Sequence, residues 1–406
     1  MKLKIVWVLY VIILIPIIKP VGLAYNSSIN TLLQYWKFFS IFLICGFIIK
    51  DFYKLKRLTS RKYSIRKGII GLLCFELIYL INSIMRGAEF LDLLNNSLTC
   101  LLLLVLVYLG SMSKRKNTLF SSIDFVFTIY IICQIISMAL ERINIVLFRA
   151  EDGSATYFFG PDNYSAFTII PMIGVLMFIG SSELKKVRFG KKNLCLLTLL
   201  ALCYIWTGSV TAALSLIILL SVSLLVEYKK RIIKAFSVKW LLFFFPLALF
   251  LILSANIQNY FSGLLRLVGK GERGSSLNSR THIWGATIRL IKESPIIGIG
   301  NLTKSEVSNY ILYGTEHAHN IILELLLRTG IIGFISYLYY LLFPAIKYRR
   351  LFFKSKNIIL LLTIFVYLVL SFMDFYPLLQ APVILVAIMY ACVDGEISNS
   401  MIKARS

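Results

Sequence analysis

The chain is 406 residues long and 58% hydrophobic, with a mean hydropathy of +0.81 and a formal net charge of +24. This balance excludes a soluble globular domain, because a run of about 20 apolar residues crosses the roughly 30 Å hydrocarbon core as a helix and such runs recur throughout the chain. The positive charge lies mostly in alternate loops between the runs, which argues against a nucleic-acid-binding face and reads as an orientation signal.

Taken in chain order, the length criterion predicts an all-α polytopic membrane protein of about twelve transmembrane helices. They are placed near 4–23, 31–49, 68–85, 93–110, 118–140, 163–182, 193–208, 210–227, 239–256, 319–343, 357–373 and 378–393. The first run is read as a span and not a signal peptide, since it shows no small-residue cleavage site and another span follows at once. Lys and Arg cluster at Lys2 and Lys4, in 50–67, 114–116, 185–192, 229–239 and 347–356, and in the C-terminal tail. Short loops rich in these residues stay in the cytoplasm, so both termini are predicted there. The seven cysteines all fall in apolar runs, where they behave as small hydrophobes, and no disulfide framework is expected.

Two segments on the predicted outer side break the pattern of short neutral turns, namely Arg142–Asp162 and a long loop over 257–318. The loop divides the chain into an N-terminal bundle (1–256, about nine spans), the loop itself, and a C-terminal part (319–406, about three spans and a tail). It carries Arg266, Lys270, Arg273, Arg280, Arg289, Lys292 and Lys304 against the orientation rule, which suggests a role other than topology; a plain solvated loop is the alternative. Within it, 280–293 reads as an amphipathic helix with Ile283, Trp284, Thr287, Ile288 and Ile291 on one face. Asn278 or Ser279 is expected to cap it and Ser294-Pro295 to end it. The helix should lie on the membrane surface, with Arg280 at its N-terminus and Trp284 at the headgroup level.

Glu316-His317-Ala318-His319-Asn320 then leads into the next span. Two of the three histidines in the chain are here, at i and i+2. Histidine changes charge near neutral pH, so the pair is a candidate acid–base site, with two interfacial histidines at a helix entrance as the alternative. No cysteine or carboxylate stands at a zinc-like spacing, and no metal is expected. Within the span, Glu324 and Arg328 stand at i, i+4 and read as an internal ion pair. Lys37, Glu76 and Asp124 are also intramembrane, and either pair with one another or line a path for a lipid carrier.

The order Ser279-Arg280, Trp284, Pro295-Ile296-Ile297-Gly298-Ile299-Gly300, His317-Ala318-His319-Asn320, Glu324 and Gly330-Ile331-Ile332-Gly333 resembles the O-antigen ligase/polymerase superfamily of bacterial membrane glycosyltransferases. The resemblance implies a GT-C-like enzyme of the bacterial cytoplasmic (inner) membrane whose active site faces outward. It implies a polyprenyl-pyrophosphate-linked glycan donor, a glycan or lipid-linked acceptor, membrane lipid around the bundle, a flippase and chain-length regulator as partners, and no cofactor. His319 would be the general base, with His317 beside it and Asn320 supplying amide hydrogen bonds. Arg280 and Arg149 would grip the pyrophosphate, since arginine binds phosphate in a bidentate fork. Arg149, ahead of Gly160-Pro161-Asp162-Asn163, matches a family segment and brings in Asn163; its alternative is a snorkelling anchor. Arg289 and Arg266 complete the predicted substrate-binding set. Where family members often carry Ser-Arg, this chain has Ser209-Val210, so Arg266, Lys270 or Arg273 takes that contact or the substrate differs. Repeat-unit polymerisation into capsular polysaccharide or O-antigen is the expected activity. A ligase acting on lipid A core or another acceptor, and a twelve-span transporter or flippase, are the rival readings.

Overall fold

The computed structural model describes residues 3–50, 63–87, 90–150, 153–181, 190–228, 274–302, 306, 309–311, 317–348, 351–352, 356–372 and 379–403; at 90–92, 162–163, 210, 226–228, 274–281 and 398–403 only the backbone is described. The described residues are helical almost throughout. Helices α1 (Leu3–Ile17), α2 (Val21–Ala24), α3 (Ser27–Lys50), α4 (Ile65–Met85), α5 (Phe90–Ser111) and α6 (Lys116–Arg142) lead to a small hairpin. Its strands are β1 (Phe148–Arg149) and β2 (Ala155–Thr156), antiparallel with Phe148 opposite Thr156. There follow α7 (Asp162–Ile179), α8 (Lys191–Thr207), α9 (Val210–Tyr228), α10 (Gly274–Glu293), α11 (Ile321–Lys347), α12 (Ile358–Ser371) and α13 (Gln380–Lys403).

Among the described residues, six helices are long and apolar enough to cross a membrane, and four shorter apolar helices stand beside them. Their outer faces carry large apolar side chains such as Phe38, Phe42, Ile81 and Ile132, all exposed. Contiguous apolar area on that scale is stable against lipid and not against water. The span expected at 239–256 lies outside the described residues, as do Arg266, Lys270 and Arg273.

Several boundaries differ from the sequence reading for identifiable reasons. The first span, expected to run to 23, ends at Ile17 and resumes as α2, because the residue before Pro20 avoids helical geometry. The helix expected from 280 begins at Gly274, which places Arg280 in its second turn and not at its N-terminus. The last helix continues past the expected 393 to Lys403.

The core lies where α1, α5, α6, α7, α12 and α13 meet, with Tyr108, Phe127, Phe167, Tyr367 and Tyr390 fully buried. Long-range polar contacts fasten it. Asp394 of α13 accepts hydrogen bonds from the Ser64 and Ile65 amides (2.7 and 3.2 Å) and the Tyr108 hydroxyl (2.9 Å). A carboxylate from a distant helix thereby serves the otherwise unsatisfied first amides of α4. Outside this core, α11 packs along α4, and α10 lies across the first half of α11.

Candidate active site

Helix α11 is broken at Gly330, whose backbone (φ 60°, ψ −166°) is non-helical. A break there frees the carbonyls of Leu327 and Arg328 and the amides of Ile331 and Ile332, which an unbroken helix would pair with one another. The Pro295–Gly300 segment takes up all four. Ile299 and Gly300 donate to Leu327 and Arg328 oxygens (2.7 and 3.0 Å), while Ile331 and Ile332 donate to Pro295 and Ile296 oxygens (2.9 and 3.2 Å). This approach leaves no room for side chains. A Cβ on Gly330 would stand 2.3 Å from the Ile296 carbonyl carbon, and one on Gly298 2.4 Å from the Thr329 nitrogen. Asn82 of α4 donates to the Ile297 oxygen, and the Asn301 amide donates to Ser83 (2.9 Å), so α4 fixes the inserted segment from its other side.

One helical half upstream, Asn320 caps α11: its Oδ1 accepts from the Ile322 and Leu323 amides (2.9 and 3.2 Å), and its Nδ2 donates to the Phe372 oxygen beyond α12 (3.0 Å). The amide expected to meet substrate is thus engaged in holding the fold. The preceding turn is clamped as well. The Ala318 amide donates to Glu324 (2.7 Å), the Ala318 oxygen accepts from the Trp284 indole (3.0 Å), and the His319 amide donates to Nδ1 of His317 (3.2 Å). His319 occupies left-handed backbone (φ 50°), uncommon for a residue with a Cβ, and its ring centre lies 4.1 Å from that of His317. Such a conformation persists only where its surroundings impose it, and it concentrates at working sites. His317 is buried and His319 half-buried.

Trp284, expected at the headgroup level, is buried instead. Together with Ile283, Ala286 and Leu290 it packs on Ala318, Leu323 and Leu327, so the apolar face of α10 closes against α11 and not against lipid. Arg289 and His282 lie on the exposed side of α10.

Glu324 is fully buried and ion-paired to Arg328, as the i, i+4 spacing predicted. Its second oxygen holds the histidine turn, while Arg328 donates onward to Tyr79 (3.0 Å) and to Asn301. Arg328 also lines a cavity of about 460 Å³ shared by α1, α2, α3, α4, α5, α7 and α13. Lys19 and Lys37 line the same cavity. The expected pairing among Lys37, Glu76 and Asp124 is replaced by others: Lys37 donates to Asn96 (3.0 Å), Ser97 donates to Glu76, and Asp124 pairs with Lys192 (2.9 Å).

Of the other predicted residues, Arg149 sits exposed on β1 and donates to the Gly153 oxygen of its own hairpin (3.0 Å). That hairpin packs on α2, whose Val21 and Ala24 line the cavity. Asn163 is the second residue of α7 and Val210 begins α9, where only backbone is described. The sequence reading missed Lys19, Asn301 and Tyr79 as partners of the site; polar residues near the ends of apolar runs were the available signal.

No curated protein matches the chain. Residues 195–338, about a third of the chain, beginning within α8 and including the Pro295–Gly300 insert and the histidine turn, match the family described as O-antigen ligase, and this match supports the O-antigen ligase/polymerase superfamily of membrane glycosyltransferase-like enzymes.

Proposed function

We propose that the protein is an inverting membrane glycosyltransferase that polymerises polyprenyl-pyrophosphate-linked oligosaccharide repeat units into capsular polysaccharide or O-antigen at the outer face of the cytoplasmic membrane. The observation that carries this reading is the clamped turn that fixes His319 on left-handed backbone, inside the segment that matches the O-antigen ligase family. The His319 imidazole takes the proton of an acceptor hydroxyl as that oxygen attacks the anomeric carbon of the donor. A new carbon–oxygen bond forms, the bond to the pyrophosphate breaks, and its electron pair leaves on the lipid pyrophosphate. A single displacement of this kind inverts the anomeric centre and balances without metal or nucleotide. Arg280 and Arg149, with Arg289 and Arg266, neutralise the leaving group, and Asn163 binds beside them. His317 holds the His319 amide and so orients the base. A carrier working by alternating access would use a helix break to present free backbone groups to its cargo. Here the break at Gly330 is filled by the chain's own Pro295–Gly300 segment.

The test is complementation of a deletion strain followed by chemical analysis of the surface glycan. His319→Ala should accumulate normally in the membrane yet lower polymer formation by at least about two orders of magnitude, the usual scale of general-base catalysis. His317→Asn, whose Oδ1 can replace Nδ1 as acceptor, should retain more activity than His317→Leu. Single repeat units in the deletion strain assign a polymerase, and unattached long chains would assign a ligase instead. Polymer of normal yield from well-expressed His319→Ala rejects the mechanism.

A further inference from the structure

The cavity beside α11 has a lining of unusual chemistry for the interior of a membrane bundle. Three cations, Lys19, Lys37 and Arg328, line it, and among the described residues no carboxylate does. The buried acids Glu324 and Glu76 are turned elsewhere, to Ala318 and Arg328 and to Ser97. Five carboxamides, Gln34, Asn95, Asn96, Asn301 and Gln380, share the lining, together with Tyr79 and Tyr164. The volume, about 460 Å³, falls within the range of small-molecule sites, about 300–1,000 Å³.

The polar atoms indicate the occupant. Bare pyrophosphate at a cation cluster needs only donors, because it has no hydroxyls to offer. This lining also carries acceptors, the side-chain carbonyls of Gln34 and Gln380. Acceptors around an enclosed polar space call for hydroxyl or amide donors from whatever fills it. Asn96 and Asn301 have their oxygens committed to Lys37 and Arg328, which leaves their NH2 groups to serve oxygens of a ligand. A ligand that donates from hydroxyls, accepts from amides and carries negative charge is an acidic sugar.

From this we infer that the cavity is a saccharide subsite selecting an anionic sugar, carboxylated or phosphorylated, within the glycan that the enzyme handles. The inference deepens the proposed function and rests on it for the identity of the glycan. The subsite is tied to the catalytic turn by two contacts, Arg328 to Glu324 and Glu324 to the Ala318 amide, so an anion drawn to Arg328 would act on the turn that carries His319.

The full-length protein in detergent micelles is to be titrated with digalacturonate, glucose 1-phosphate, maltose and inorganic pyrophosphate, reading thermal stabilisation and apparent Kd. Stabilisation by digalacturonate assigns a carboxylated sugar, and by glucose 1-phosphate a phosphorylated one; maltose and pyrophosphate should bind at least about tenfold more weakly, on the scale of one lost charged hydrogen bond. Lys37→Gln and Gln380→Ala, one buried and one at the start of α13, should each weaken the favoured sugar by a similar factor. His319→Ala should bind it as the wild type does, which separates this inference from the catalytic proposal: normal polymer from His319→Ala with intact sugar binding overturns only the mechanism. Binding of pyrophosphate equal to that of the acidic sugars, equal binding of maltose, or no stabilisation by either acidic sugar overturns the subsite.

Discussion

At the scale of single residues, the site depends on hydrogen bonds to backbone more than on contacts between side chains. Trp284 illustrates this: its position in an amphipathic helix suggested an interfacial anchor, yet its indole donates to the Ala318 oxygen and its ring is buried. Trp284→Phe keeps most of the ring but leaves that carbonyl unpaired, a loss of about 1–3 kcal/mol. We expect a lower melting temperature in detergent and a several-fold drop in polymer yield from a protein that still inserts; unchanged yield would show that the clamp on Ala318 does not position His319. Glu324 shows the same economy, with one oxygen in the ion pair the sequence announced and the other on the Ala318 amide, which no spacing rule reveals.

At the scale of elements, the insertion of Pro295–Gly300 into the break of α11 is the feature on which the site is built. It explains in physical terms why glycines stand at 298 and 330. Gly330→Ala would need a side chain both in a conformation reserved for glycine and 2.3 Å from the Ile296 carbonyl carbon. The variant should lose several kcal/mol and fail to accumulate, by the scale of overpacking and forbidden backbone together. Gly285→Ala is the control, since a Cβ there meets nothing within 4 Å on an exposed helical position. It should raise stability by about 0.5–1 kcal/mol, the helical advantage of alanine. Equal melting temperatures for the two variants would refute the interlock. The sequence contained every residue of this device, but hydrogen bonds between segments so far apart in the chain leave no periodic trace.

At the scale of the whole molecule, the Lys and Arg clusters predict that the end of the bundle bearing the histidine turn faces outward. In a background lacking native cysteines, Lys292→Cys should react with an impermeant thiol reagent on spheroplasts and Lys191→Cys should not; both positions are exposed, so the reverse pattern would invert the orientation. What the sequence determined by itself was membrane character and nearly every described helix, and it singled out the histidine turn as a candidate, because hydrophobic length and the scarcity of histidine are properties of the chain read in order. Tertiary structure alone decided the break in α11 and its filling, the burial of Trp284, the capping of α4 by Asp394 and the assembly of Lys19, Lys37 and Arg328 around one cavity. Each depends on which distant segments meet, and that is set by close packing and the pairing of buried polar groups, neither of which is periodic along the chain.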